Sequence, residues 1–215
     1  MNHTEIINYL ISKYNYKTYL EIGTFKGDNF KNIEAEYKEC CDITDAYYKD
    51  INYLMTSDEM FAIMNPKQKY DIIFIDGLHL EDQLDRDIIN SLKHLNKNGL
   101  VLCHDILPPN PKAVIEYFDL TYNPVWNGTC YKSICKLNNE NIEYYTIDSG
   151  DHGITIIKYC DNPHQLTFNN CKCNQSYNNL FVNQNNNEYQ LQSNYTLQGK
   201  FALHIITEDE FLNIF

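Results

Sequence analysis

The run Tyr70–Ile75, YDIIFI, constrains this chain more than any other stretch. A short, nearly unbroken apolar run is the mark of a strand buried on both faces, which belongs in a parallel sheet covered by helices. Shorter runs of the same kind occur at Tyr19–Ile22, Cys40–Cys41, Ile51–Met55 and Leu100–Cys103. Helical signals separate them. Thr56 reads as an N-cap with Glu59 three residues on, and Leu84, Ile88, Ile89, Leu92 and Leu95 recur at helical spacing, with Gly99 read as the closing cap. Strands alternating with helices pair in parallel through right-handed crossovers. The expected architecture is α/β: a Rossmann-like, doubly wound sheet with helices on both faces.

The later part of the chain is patterned differently. Pro111 suits a helix start, Thr129–Leu137 reads as a helix, and Thr207 with Glu210 repeats the capping signature. Glu143–Ile147 and Ile154–Tyr159 flank the turn Asp148–Gly153, which predicts an antiparallel hairpin closing the sheet. Residues 174–196 are rich in Asn and Gln and read as a low-complexity insertion. At 215 residues the expectation is a single domain, residues 1–215.

Charge narrows the partners. The formal net charge is −12, and no run of Lys or Arg offsets it. Such a chain repels phosphate backbones, so a small molecule is the expected partner rather than nucleic acid. No window approaches the length of apolar sequence that spans a membrane, and Met1–Lys17 lacks the features of a secretion signal. The expected location is therefore the cytoplasm, with the eight Cys as reduced thiols. Cys171 and Cys173, with His164 upstream, have the wrong spacing for structural zinc. Sequons at Asn2, Asn127, Asn174 and Asn194 are ascribed to the Asn-rich composition. A homo-oligomer is left open.

Chemistry concentrates where strands end. YLEIGTFKGD, Tyr19–Asp28, places Glu21, Gly23, Thr24 and Gly27 between a strand and a helix. Glycines there allow a tight turn and close approach of a ligand, although a plain strand-to-helix turn carries the same pattern. A carboxylate at Glu21 would repel a pyrophosphate and suit an ammonium group. S-adenosylmethionine has that ammonium, a sulfonium and no phosphate. Asp42, about 20 residues on at the next strand's tip, is placed to accept from ribose hydroxyls, with Asp45 as a competitor. Ser57 and Asp58 follow the third strand, positioned either to meet the adenine or simply to cap a helix.

The fourth and fifth strands deliver Asp76-Gly77-Leu78-His79 and His104-Asp105. Neighbouring strands lie about 4.8 Å apart, so Asp76 and Asp105 can share Mg²⁺ or Mn²⁺ with His79 or His104 nearby. Structural histidines are the alternative. For transfer to a hydroxyl, His79 is the preferred base, with Asp76 and His104 as catalytic partners and His152 behind them.

YLEIGTFKGDNF, MTSDEMF, YDIIFIDGLHLEDQLDRDI and LNKNGLVLCHDILPP together resemble the class I S-adenosylmethionine-dependent methyltransferase family, and within it the group found with sugar- and glycan-modifying enzymes. WNGTCYK and IDSGDHGITII continue the resemblance. It implies a seven-stranded, mostly parallel sheet with an antiparallel last strand. It also implies cofactor contacts at Glu21, Gly23, Thr24, Gly27, Asp42, Ser57, Asp58 and Asp76, and metal ligands at Asp76 and Asp105. The implied activity is methyl transfer from S-adenosylmethionine to a hydroxyl of a small polar acceptor, a sugar or glycan. Phenols, amines and a non-catalytic protein of the same fold are the alternatives. Where metal-dependent members carry an acidic residue or Asn after the second Asp, this chain has Ile106, so a metal-free mechanism on His79 also stays open.

Overall fold

The computed structural model describes residues 1–116, 125–137, 142–159, 161 and 203–215, and the backbone alone of four short strands between 181 and 201. In chain order the strands are β1 Thr18–Ile22, β2 Tyr37–Asp42, β3 Tyr53–Leu54, β4 Tyr70–Ile75, β5 Leu95–Cys103, β6 Tyr144–Ile147, β7 Ile154–Lys158, β8 Phe181–Gln184, β9 Glu188–Leu191, β10 Thr196–Leu197, β11 Lys200–Phe201 and β12 Ile205–Ile206. The helices are α1 His3–Tyr14, α2 Asp28–Asn32, α3 Ser57–Ile63, α4 Glu81–Lys93, α5 Cys130–Leu137 and α6 Glu208–Ile214, with a 3₁₀ turn at Pro111–Val114.

The main sheet runs β12-β6-β7-β5-β4-β1-β2-β3. All its pairings are parallel except those of β7, which lies antiparallel between β5 and β6. Period-two alternation divides the core. Leu20, Ile22, Ile73, Ile75, Val101 and Cys103 face one way, onto Met60 of α3, Leu84, Ile88 and Leu92 of α4, and Ile134 of α5. Tyr19, Ile72, Phe74, Leu100 and Leu102 face the other way, onto Ile6, Ile7 and Leu10 of α1, Phe30 of α2, and Phe211 of α6. Each such fully buried Ile or Leu is worth about 1.5–3 kcal/mol, and together these side chains oblige helices to cover both faces. The doubly wound arrangement is the one expected.

Three details correct the sequence reading. The sheet has eight strands rather than seven, because β12 adds in parallel beyond the hairpin through Ile205 and Ile206. The third strand is only Tyr53–Leu54, not Ile51–Met55. Gly99 does not cap α4: the helix ends at Lys93 with His94 as its cap, and β5 begins at Leu95, paired with Tyr70. Gly99 is needed for space instead, since a Cβ there would lie 2.8 Å from the carbonyl of Asp71. Both capping boxes, Thr56 with Glu59 and Thr207 with Glu210, form as expected. Cys40, Cys41, Cys103, Cys130 and Cys135 are free and buried. His164, Cys171, Cys173, Asn174 and Asn194 lie outside the described residues, as does most of the Asn/Gln-rich segment apart from strand backbone. Among the described residues no helix is long and apolar enough to cross a membrane.

Candidate active site

Strand register brings the functional segments to one level. Ile22 pairs with Cys41 and with Ile75, and Ile75 pairs with Cys103, so Gly23, Asp42, Asp76 and His104 all leave the sheet at one edge. Backbone bonds continue the ladder by one step: Gly23 donates to the carbonyl of Cys41, Asp76 to Ile22, and His104 to Ile75. This is the carboxyl edge of the parallel strands, where open α/β sheets hold their ligands. A crevice of 710 Å³ opens there, within the range of small-molecule and cofactor sites.

Gly23 makes the floor possible. Its φ is +86°, and a Cβ there would stand 2.1 Å from the carbonyl oxygen of Asp76. No other residue combines that backbone with that contact. Asp42 lines the crevice while its carboxylate accepts from the backbone N–H groups of Phe25 (2.7 Å) and Thr44 (3.0 Å). Ser57 lines it too, accepting from Gln83 at 3.1 Å.

Other expected contacts are turned away from the wall. Glu21 is 1% exposed, on the α1/α2 side of the sheet, where its carboxyl accepts from Tyr19 and from Asn29, each at 2.6 Å. Burial raises it from 4.5 to about 8, the two hydrogen bonds only partly opposing this. It is therefore largely a neutral acid at pH 7 and offers no negative charge to an ammonium group. Asp58 is paired with Arg86 at 3.1 Å. Thr24 is buried, its hydroxyl near the carbonyl of Cys41. Gly27 packs against the ring of Tyr48. None of these four residues lines the crevice.

At the other end, imidazoles and carboxylates interleave. His79 Nε2 lies 3.4 Å from Asp76 Oδ1 and 3.2 Å from Asp105 Oδ2, and His104 Nδ1 lies 3.3 Å from Asp76 Oδ1. His79 Nδ1 lies 2.8 Å from the Trp126 carbonyl, which can only accept. That bond fixes a proton on Nδ1 and leaves Nε2 facing the two carboxylates, to which it donates when protonated. The indole of Trp126 stacks on the same imidazole at 5.0 Å. Asp105 occupies the left-handed region at φ +60°, which Asp tolerates better than most residues.

The charges answer one another. Burial pushes Asp76 up, but His104 and His79 outweigh it and hold its carboxyl well below the usual range. Burial lowers His79, yet the carboxylates of Asp76 and Asp105 carry it above 6.5. His104 is raised further, chiefly by Asp76 acting against burial. Burial leaves Asp105 raised despite its two imidazole neighbours.

Sequence reasoning missed several residues that complete this arrangement. Asn127 is 1% exposed and donates to Asp105 at 2.6 Å, so this sequon residue is a buried anchor. Gln83 and the buried Asp87 line the crevice beside Ser57. Burial raises Asp87 to about 6. Val125 and Trp126 form a wall with Leu78. His3 and Asp151 reach His104 from behind. Each is distant in sequence from the residue it serves, so even where a quoted motif contains it, its partner could not be read locally.

Comparison with known proteins bears on the fold that carries this site. Residues 36–106 match a family described as a methyltransferase domain. A search of curated protein sequences finds no match. Among solved structures, the chain is similar to an O-methyltransferase from Bacillus cereus in complex with SAH, at 12% identity and a TM-score of 0.55 over 73% of this chain and 80% of that one. It is also similar to a putative caffeoyl-CoA O-methyltransferase from Staphylococcus aureus, at 15% identity and 0.52 over 73% and 82%. The O-methyltransferase TomG from Streptomyces achromogenes, in complex with SAM, gives 12% identity and 0.51 over 73% and 78%. At such identities the likeness is one of fold. The domain match spans β2 to β5, and the fold over 73% of the chain is the one found in these methyltransferase structures.

Proposed function

We propose that the crevice binds S-adenosylmethionine and that the chain transfers its methyl group to a hydroxyl of a small polar acceptor, a sugar or glycan. One observation carries the cofactor reading. Among the described residues, Asp42, Asp76, Asp87 and Asp105 line the crevice and no Lys or Arg does. A pyrophosphate would meet four carboxylates offset only by the imidazoles among them, whereas a cationic nucleoside without phosphate is favoured. The charge comes from these four carboxylates rather than from Glu21.

When bound, S-adenosylmethionine supplies an electrophilic methyl group on a sulfonium. In this reading Asp42 accepts from the ribose hydroxyls, Gly23 leaves room for the methionine end, and Ser57 approaches the base. Asp76 and Asp105, with His79 Nε2, fit a divalent cation: two carboxylate oxygens and a nitrogen whose ring partner is already bonded to a carbonyl. Such an ion, Mg²⁺ or Mn²⁺, would orient the acceptor hydroxyl and lower its pKa. Without it, His79 Nε2 takes the hydroxyl proton, the neighbouring carboxylates stabilising the imidazolium that results.

The wall of Leu78, Val125 and Trp126 favours a second reading, a planar phenolic acceptor lying on the indole. Radiolabelled cofactor offered with nucleotide-sugar, glycan and phenol pools separates the two by which pool takes label. Calorimetry tests the shared premise. Absence of binding by both S-adenosylmethionine and its demethylated product would end the proposal.

A further inference from the structure

His3 at the start of α1, His104 at the end of β5 and Asp151 in the β6–β7 turn come from three distant parts of the chain and converge behind the crevice floor. His3 Nδ1 lies 2.6 Å from Asp151 Oδ2. His104 Nε2 lies 3.8 Å from the same oxygen and 2.9 Å from the Asp151 carbonyl. The two imidazoles meet edge to face at 4.7 Å. His3 and Asp151 do not line the crevice; His104 does, and its Nδ1 faces Asp76, so this group shares one imidazole with the crevice wall and extends away from it.

We propose that His3, His104 and Asp151 form a second metal site, suited to zinc, that pins α1 to the back of the active-site floor. Bonds of about 2.0–2.1 Å at tetrahedral angles set neighbouring ligand atoms roughly 3.3 Å apart. The separations of 2.6 and 3.8 Å straddle that value, differing from it by roughly half an ångström or somewhat more in opposite senses, so modest side-chain rotations bring the three atoms to it. Two nitrogens and one oxygen select zinc over magnesium, and water would complete the tetrahedron. The support behind His104 also fits. Its other nitrogen, Nδ1, faces Asp76 Oδ1 at 3.3 Å, and a carboxylate behind a ligating imidazole fixes its tautomer and raises its basicity.

The test is cobalt and zinc titration of chelator-treated protein, wild type and Asp105→Asn, the latter removing the oxygen-rich crevice group from the result. Both should develop the visible bands of four-coordinate cobalt, which zinc then displaces. His3→Gln and Asp151→Asn should abolish the bands and weaken zinc binding by at least about a hundredfold, the upper end for loss of an outer-shell partner. Both substitutions nearly preserve shape at half-buried positions, and circular dichroism checks that the variants fold; either one alone decides the matter. Absence of the bands in wild type and in Asp105→Asn, or their survival in a folded His3→Gln or Asp151→Asn variant, overturns the proposal. No turnover is measured, so the outcome is independent of methyl transfer.

Discussion

Replacing Glu21 by Gln should stabilise the protein increasingly as pH rises. The carboxyl, 1% exposed, is raised from 4.5 to about 8, with burial as the leading cause. The folded chain therefore holds a proton that the unfolded chain has released. Below about pH 4.5 both states are protonated and the group is neutral in its effect. As pH climbs toward 8 stability is lost, and above 8 the loss is constant. At about 1.4 kcal/mol per pH unit, that interval corresponds to about 5 kcal/mol in full and about 3 kcal/mol at pH 7. These magnitudes are large beside a typical folding free energy of about 5–15 kcal/mol. The amide adds N–H donors that need partners beside Tyr19 and Asn29, a pH-independent penalty of about 1–3 kcal/mol. Such an offset moves the whole curve without changing its slope. Urea unfolding of both proteins from pH 4.5 to 8.5 reads the difference directly. A stability difference that stays flat across this range would refute the neutral, buried state of Glu21.

Three further outcomes are expected. Asp42→Ala should weaken binding of the demethylated cofactor by about 10- to 100-fold in calorimetry, the cost of about 1.5–3 kcal/mol for hydrogen bonds to a charged group. His79→Gln should lower kcat by about 10²- to 10⁴-fold while leaving KM for S-adenosylmethionine near wild type, read by methyl-transfer kinetics. Gly128→Ala should lower the melting temperature and kcat together, because its φ is +58° and the new Cβ would stand 1.8 Å from the carbonyl of His79. Strain of about 1–2 kcal/mol from the backbone alone is the lower bound for its stability loss.

What could be read from sequence followed the range of the interactions. YDIIFI announced β4 because burial on both faces leaves its mark on consecutive residues, and the capping boxes were visible because their partners lie three residues apart. Asp42, Asp76, His79, His104 and Asp105 could be singled out because each ends or follows a strand of that sheet. Gly99 misled because a glycine after a helical apolar pattern resembles a cap, whereas it is the approach of Asp71 that excludes a side chain. Glu21 misled in another way. Its place beside the glycine turn is local, but the face it takes depends on Tyr19 and Asn29, which enclose it. The addition of β12 to β6, and the support of Asp105 by Asn127, join residues too far apart for any periodicity to record.

The segment Trp126–Thr129 works as a buckle between two loops. It grips the loop after β4 through the Trp126 carbonyl on His79, the Thr129 N–H on the His79 carbonyl and the Thr129 hydroxyl on the Glu81 N–H, while Asn127 holds Asp105 on the next loop. Leu78 is more than half exposed and Val125 precedes the grip, both on the crevice wall. Under the proposed function, acceptor preference would shift with changes at Leu78 and Val125, while the buckle beside them holds His79 and Asp105 in place.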